Sequence, residues 1–288
     1  VTTDVRPAFF PLLPLLMRLT APLTGGNVVT SGLLVSSIAA LVTLVLLFQL
    51  ARRMYDDDAA KRALLFFVVF PTAFFLFAVY TESLFLGFTL GAFLCVRRGR
   101  WEWGAVLAAL AGMTRPQGAF LLLPLAIEFF QQYRRGDVRL SRAWTLVLVG
   151  AGGLVHALWL TLQFGTPAAW FDAQASWRNF AAPWIVIAGA LSHIVSAPSP
   201  VEAIVSAVDP FFAILIIGVL VWSWFRLPRS YTVYLAVVLL PPFFSFAFQS
   251  DLLPLASYSR YVLVAFPAFL LLGSLPRAWW QLLLLTLS

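Results

Sequence analysis

Charge is what this sequence has least of. Asp, Glu, Lys and Arg make up 11% of its 288 residues, where a soluble domain carries about 25%, and that shortfall excludes a water-soluble globular fold. Histidine is nearly missing. His156 and His193 are the only two, and neither has a spaced Cys, His or carboxylate partner, which argues against zinc. The single cysteine, Cys95, excludes an intrachain disulfide framework. No internal repeat is visible, and Gly150-Ala151-Gly152-Gly153 follows no strand, so it is not a phosphate-binding loop. No signal peptide is evident, Val1 is not an initiator, and the last apolar run, Ala278 to Ser288, is too short to span a membrane. Both ends therefore read as cut.

Apolar residues are present in surplus. The chain is 61% hydrophobic, with a mean hydropathy of +0.92. They come in runs near the ~20 residues that a helix needs to cross about 30 Å of hydrocarbon. The expected architecture is all-α, a polytopic transmembrane helical bundle with about nine or ten spans, forming one domain over residues 1–288. The expected spans are Ser31–Ala51, Ala63–Tyr80, Leu84–Val96, Trp103–Met113, Gly118–Phe130, Ala143–Phe164, Ala203–Phe225, Tyr231–Phe248 and Tyr261–Leu275, with a partial one from Ala278.

The cations are not spread evenly between these spans. Every second loop is basic: Arg52, Arg53, Lys61 and Arg62; Arg97, Arg98 and Arg100; Arg134, Arg135, Arg139 and Arg142; Arg226 and Arg229; Arg277. Together they hold 14 of the 19 basic residues, leaving Arg6, Arg18, Arg115, Arg178 and Arg260. The positive-inside rule puts these five on the far, non-cytoplasmic face. The net charge of +7 is thus explained by topology, without nucleic acid as a partner.

The far-face segments carry the polar chemistry. Val1–Gly26 contains a Pro-broken apolar stretch, Ala8 to Leu16, that reads as a helix lying in the membrane interface. Tyr80-Thr81-Glu82-Ser83 and Thr114-Arg115-Pro116-Gln117 interrupt long apolar sequence. A carboxylate or guanidinium costs about 2.5–3.5 kcal/mol at a helix centre, so both breaks are expected to face water or substrate. Arg115 and Arg260 are the candidates for a phosphate group, which guanidinium pairs with through charge-assisted hydrogen bonds. The plainer alternative is that each snorkels or pairs with a structural carboxylate such as Glu82. Glu82, Asp172, Gln174, Arg178 and Tyr258 are the further substrate-site candidates. Glu82 alternatively only complements the helix dipole, and Asp251 reads as a solvated loop charge. Asp56-Asp57-Asp58 imitates the DxD pattern of soluble glycosyltransferases, but it sits in a short basic loop whose charge it balances. No metal or other cofactor is expected. Gly87 to Gly91 fits the GxxxG contact pattern, and Pro71 and Pro124 are expected to kink their spans.

Four stretches together carry a family resemblance. They are Ala8-Phe9-Phe10-Pro11-Leu12 with Pro14; Phe70-Pro71-Thr72-Ala73-Phe74-Phe75 running into Tyr80-Thr81-Glu82-Ser83; Thr114-Arg115-Pro116-Gln117-Gly118; and Ser259-Arg260-Tyr261 running into Phe266-Pro267. With Phe171-Asp172-Ala173-Gln174-Ala175 and Trp177, their order and spacing resemble the PIG-V-like mannosyltransferases, members of the GT-C class of membrane glycosyltransferases. The resemblance implies mannose transfer from a polyprenyl- or dolichyl-phosphate-mannose donor to a lipid-linked or glycan acceptor on the far face. It also implies a catalytic aspartate in the first far-face loop, after a first transmembrane helix and upstream of Ala8. Neither is present, and Asp4 stands too close to Ala8 to take that place. The base is thus expected upstream of Val1, and the chain as given is expected to be inactive.

Two other classes compete. A non-catalytic partner subunit, or a degenerate relative, would account for the missing aspartate. A lipid flippase or transporter would show mid-span charges and internal repeats. Short loops and abundant Ala, Leu and Arg point to a prokaryotic plasma membrane. A eukaryotic chain of this kind would sit in the endoplasmic reticulum, where relatives act on glycosylphosphatidylinositol (GPI) anchor precursors.

Overall fold

The computed structural model describes residues 6–175, 179–246, 255 and 257–276. Arg178, Asp251, Asp4, Trp177, Arg277 and the partial span from Ala278 lie outside them.

The described chain is helical almost throughout. It opens with a single 3-10 turn at Arg6–Ala8 and a short helix α1 (Leu12–Thr20). The helices α2 (Val28–Met54), α3 (Asp57–Val68), α4 (Glu82–Arg97), α5 (Trp101–Gly112), α6 (Pro116–Ala119) and α7 (Leu122–Arg135) follow. Then come α8 (Trp144–Phe164), α9 (Ala169–Ala175), α10 (Pro183–Val195), α11 (Pro200–Arg226), α12 (Arg229–Leu239), α13 (Tyr258–Leu263) and α14 (Phe266–Gly273). The one ladder among the described residues is a two-residue antiparallel pair, β1 (Asn179–Phe180) with β2 (Ser245–Phe246).

Among the described residues three segments are long and apolar enough to cross a membrane: Val28–Met54, Leu140–Phe164 and Pro200–Arg226. The remaining expected spans are divided or shortened, and proline explains most of the breaks. The expected span Ala63–Tyr80 stops as a helix at Val68, because Phe70 precedes Pro71 and the residue before proline is pushed out of the α region. Pro71 thus ends a helix instead of kinking one. Pro124 does not kink either. It is the third residue of α7, in the first turn, where a missing N–H costs nothing. Pro241 and Pro242 stop α12 in the same way, and Pro267 sits in the first turn of α14, separating it from α13. Pro210 lies inside α11, which continues through it.

The packing is that of a membrane bundle. The interior is filled by Phe67, Phe85, Phe93, Trp101, Tyr231, Tyr234, Phe266 and Phe269, all less than 2% exposed or nearly so. Large apolar side chains also face outward along α2 (Ile38, Leu41, Val45), α8 (Val147, Leu154, Leu162) and α11 (Ile204, Ile214, Val221). Continuous apolar outer faces of this size suit lipid and not water. The bundle is closed by very near approaches. A Cβ on Gly152 of α8 would collide with the Ala109 carbonyl of α5, so within the Gly-rich stretch at 150–153 it is Gly152 that lets the two helices pack. Gly87 of α4 likewise faces Thr43 of α2 at 3.3 Å from where its Cβ would stand. The protein is an integral membrane protein.

Candidate functional site

Glu82 is the first residue of α4, and its carboxylate is completely buried. Helix α4 starts there because Thr81 closes the irregular Phe70–Thr81 segment, and a negative charge in a first helical turn complements the dipole. The turn is pinned to α2 by hydrogen bonds from Thr43 Oγ1 to the Ser83 carbonyl (2.9 Å) and from Ser36 Oγ to the Tyr80 carbonyl (3.5 Å).

Two arginines meet on one oxygen of this carboxylate. Arg260, in α13, donates from Nε (2.9 Å) and Nη2 (2.6 Å) to Glu82 Oε1. Arg115 Nη1 stands 2.8 Å from the same oxygen, as a close charge contact and not an aligned hydrogen bond. Arg115 reaches it from an extended backbone position just before α6, where Pro116 at the first helical position sets the turn. Gly118 is required there, because a Cβ would run into the Ala111 carbonyl of α5. The cluster holds two guanidiniums and one carboxylate, hence one net positive charge. The Arg115 side chain is 9% exposed and that of Arg260 is 23% exposed, so Arg260 is the more accessible cation.

Aromatic rings form the walls. The Arg260 guanidinium lies over Tyr80 (4.3 Å to the ring centroid) and Phe75 (4.7 Å). Arg115 lies 5.7 Å from the Tyr261 ring. Such cation–π contacts hold a guanidinium where water is scarce. Thr72 Oγ1 donates to the Ser259 carbonyl (3.2 Å), and the backbone N–H of Leu12 donates to the Met113 carbonyl (3.1 Å). Residues from three of the stretches that carried the family resemblance therefore converge here, and Leu12, from the fourth, is bonded to Met113, two residues before Arg115. The two polar breaks and Arg260 are one cluster, at the opposite end of α4 from Arg98.

Sequence reasoning missed Asp209. It lies within α11, yet its Oδ2 accepts from the Ser257 N–H and its Oδ1 from the Ser259 N–H, both at 2.8 Å. It thereby caps α13 and holds the segment that carries Arg260, where Ser257 adopts a left-handed backbone (φ 65°). The signal was available: an ionisable residue inside an otherwise apolar span is a functional candidate by default.

The remaining candidates are placed elsewhere. Asp172 is exposed and Gln174 half-buried on α9, which packs on the Arg6–Ala8 turn and on α8. Among the described residues no hydrogen bond or ion pair joins either to the arginine pair. Tyr258 is fully buried, and its hydroxyl donates to the Leu239 carbonyl (3.0 Å), which makes it a tie between α13 and α12. Asp56 accepts from the Ala59 N–H (2.7 Å) as the cap of α3, while Asp57 and Asp58 face Arg52 (3.6 Å) and Lys61 (3.4 Å). His156 is stacked on Phe10 (3.9 Å between centroids). Among the described residues no group of three or more His, Cys, Asp or Glu could hold a metal ion.

A second buried carboxylate, Glu128 of α7, was also unforeseen. Its Oε2 accepts from Ser230 Oγ (2.6 Å), and its Oε1 accepts from Gln132 Nε2 (3.1 Å) and faces Arg97 Nε at 3.8 Å. Gln132 in turn accepts from Trp101 Nε1 (3.0 Å). This network joins α4, α5, α7 and α12 at the basic end of the bundle.

Among known proteins, the sequence pattern of the family described as mannosyltransferase (PIG-V) matches residues 4–184. No curated protein and no solved structure matches the chain. The match includes Glu82, Arg115 and Asp172 and covers well over half of the sequence. The chain belongs to the PIG-V mannosyltransferase family.

Proposed function

We propose that this protein transfers mannose from a polyprenyl- or dolichyl-phosphate-mannose donor to a lipid-linked or glycan acceptor on the non-cytoplasmic face. In this reading Arg260 and Arg115 hold the donor phosphate. One observation carries it: two arginines share a single buried carboxylate, so the cluster keeps one net positive charge at a membrane-embedded helix end. A purely structural pair would be neutral, whereas a surplus cation suits a phosphate.

The chemistry needs little else from this cluster. An acceptor hydroxyl oxygen attacks C1 of the mannose, the bond from C1 to the phosphate oxygen breaks, and its electron pair leaves with the lipid phosphate. The acceptor proton passes to a general base, which the family resemblance places on an aspartate N-terminal to Ala8. Negative charge grows on the leaving phosphate, and preorganised cations in a dry site stabilise it most effectively there. Glu82 occupies Nε and Nη2 of Arg260, which leaves the Nη1 edge of the guanidinium to meet the phosphate. Arg115, more deeply buried, adds positive potential. Asp172 and Gln174, on the far-face segment after α8, would belong to the acceptor side of the site.

The test is transfer by the full-length protein in proteoliposomes, with radiolabelled mannose on a polyprenyl phosphate. Arg260→Ala is expected to lower kcat/KM by about 10²-fold or more, and Arg260→Lys is expected not to restore it, since lysine lacks the planar fork. Unchanged donor kinetics in Arg260→Ala would remove the arginine pair from donor binding. No transfer by the wild type from any polyprenyl-phosphate sugar would sink the enzyme reading and favour a non-catalytic subunit.

A further inference from the structure

We infer that the basic end of the bundle carries a binding site for the headgroup of an anionic phospholipid, between the C-terminal ends of α2 and α4. The site is a surface cavity of about 400 Å³ lined by Arg52, Arg53, Arg98, Gln49, Phe48 and Val45. Three guanidiniums border it and no acidic residue does. Arg98 is fixed toward it, with Nη2 donating to Gln49 Oε1 at 3.2 Å. Arg52 is only partly compensated, by an exposed contact with Asp57 at 3.6 Å.

Charge alone would describe any basic loop. The second observation is the surface below the cavity. Ile38, Leu41, Val42 and Val45 are exposed along one face of α2, at helical spacing, and Phe48, Gln49 and Arg52 continue that face. A stripe of apolar side chains therefore runs up the outer face of the bundle and ends at the three arginines. That is the shape of one lipid molecule, with acyl chains against α2 and a phosphate among guanidiniums, which pair well with phosphate oxygens. Cationic pockets between transmembrane helices on the positive side bind anionic headgroups in this manner. A soluble phosphate would use the arginines but gain nothing from the stripe. The site lies at the end of α4 opposite the Glu82 cluster and does not depend on the proposed transfer reaction.

Native mass spectrometry of the purified protein in detergent, titrated with phosphatidylglycerol or phosphatidylcholine, tests this. The wild type is expected to retain a phosphatidylglycerol adduct that 10-fold excess inorganic phosphate does not displace, and to retain phosphatidylcholine far less. The triple variant Arg52→Gln/Arg53→Gln/Arg98→Gln is expected to lose that adduct at least 10-fold. These side chains are exposed, so the variant should elute as the wild type does on gel filtration. Arg134→Gln/Arg135→Gln, which removes charge from a different basic loop, is expected to keep the adduct. Equal retention of both lipids, displacement by inorganic phosphate, or an adduct surviving in the triple variant would each overturn the assignment. So would loss of the adduct in the Arg134/Arg135 variant, since it would reduce the effect to overall charge.

Discussion

A buried carboxylate shared by two guanidiniums ties together three parts of the chain that are far apart in sequence. Glu82→Gln keeps the shape and removes the charge, leaving two cations facing each other in a largely dry site. Breaking a buried ion pair costs about 3–5 kcal/mol, so this variant is expected to lower the melting temperature in detergent clearly, whereas an exposed exchange such as Asp57→Asn should leave it almost unchanged. Glu128→Ala belongs with it: Ser230, Gln132 and Arg97 lose their common partner, and thermal unfolding should register a loss of similar size. Asp209→Asn is a milder change. It keeps an acceptor for one of the two backbone N–H groups of α13, and weakened caps cost about 1 kcal/mol. We expect a higher KM for the sugar donor with little change in stability, measured by kinetics and melting on the same preparation. Glu82, Arg115 and Arg260 could be picked out from sequence because each interrupts an apolar run. Asp209 could have been flagged as an ionisable residue inside an apolar span, but for it and for Glu128 the sequence shows nothing of the backbone amides or hydroxyls that satisfy the carboxylate.

At the scale of elements, proline decides where helices stop and glycine decides how closely they approach. Hydropathy alone reads Ala63–Tyr80 as one span, yet the pre-proline restriction at Phe70 ends the helix early. The freed segment from Phe70 to Thr81 supplies Phe75 and Tyr80 to the arginine cluster. The broken span is therefore what builds the site wall. The contact of α5 with α8 rests on Gly152, whose missing Cβ lets the Ala109 carbonyl come against its Cα. Gly152→Leu has no rotamer that avoids this backbone. Overpacking costs about 1–3 kcal/mol in a well-packed core, and here it would also part α5 from α8, so a lower melting temperature and poorer yield of folded protein are expected. An equivalent exchange at Gly150, which has nothing within 4 Å of its Cβ position, should be tolerated.

For the whole molecule, the testable property is its orientation in the membrane. From the alternation of basic loops we expect Asp137 on the cytoplasmic side and Ala168 on the far side, and both residues are exposed. With Cys95→Ser as background, Ala168→Cys is expected to react with a membrane-impermeant maleimide on the far side of sealed membranes. Asp137→Cys should react only once the membrane is opened. The reverse pattern would turn the arginine cluster toward the cytoplasm and remove the proposed lipid-linked donor from reach on the far face.

What the sequence determined by itself was the solvent of the protein and its kinship. A shortage of charge, apolar runs of membrane length and cations in alternate loops follow from local composition, because burial of a backbone in hydrocarbon demands helices whatever their partners are. The motif order sufficed for the family. Only the tertiary structure decided that the two polar breaks and Arg260 form one site, that Tyr258 turns its hydroxyl inward to Leu239, and that Asp209 steadies the arginine-bearing segment. These are contacts between residues as many as 178 positions apart. Pairing at that range depends on how helices cross and which glycines let them touch, and no local pattern of residues encodes it.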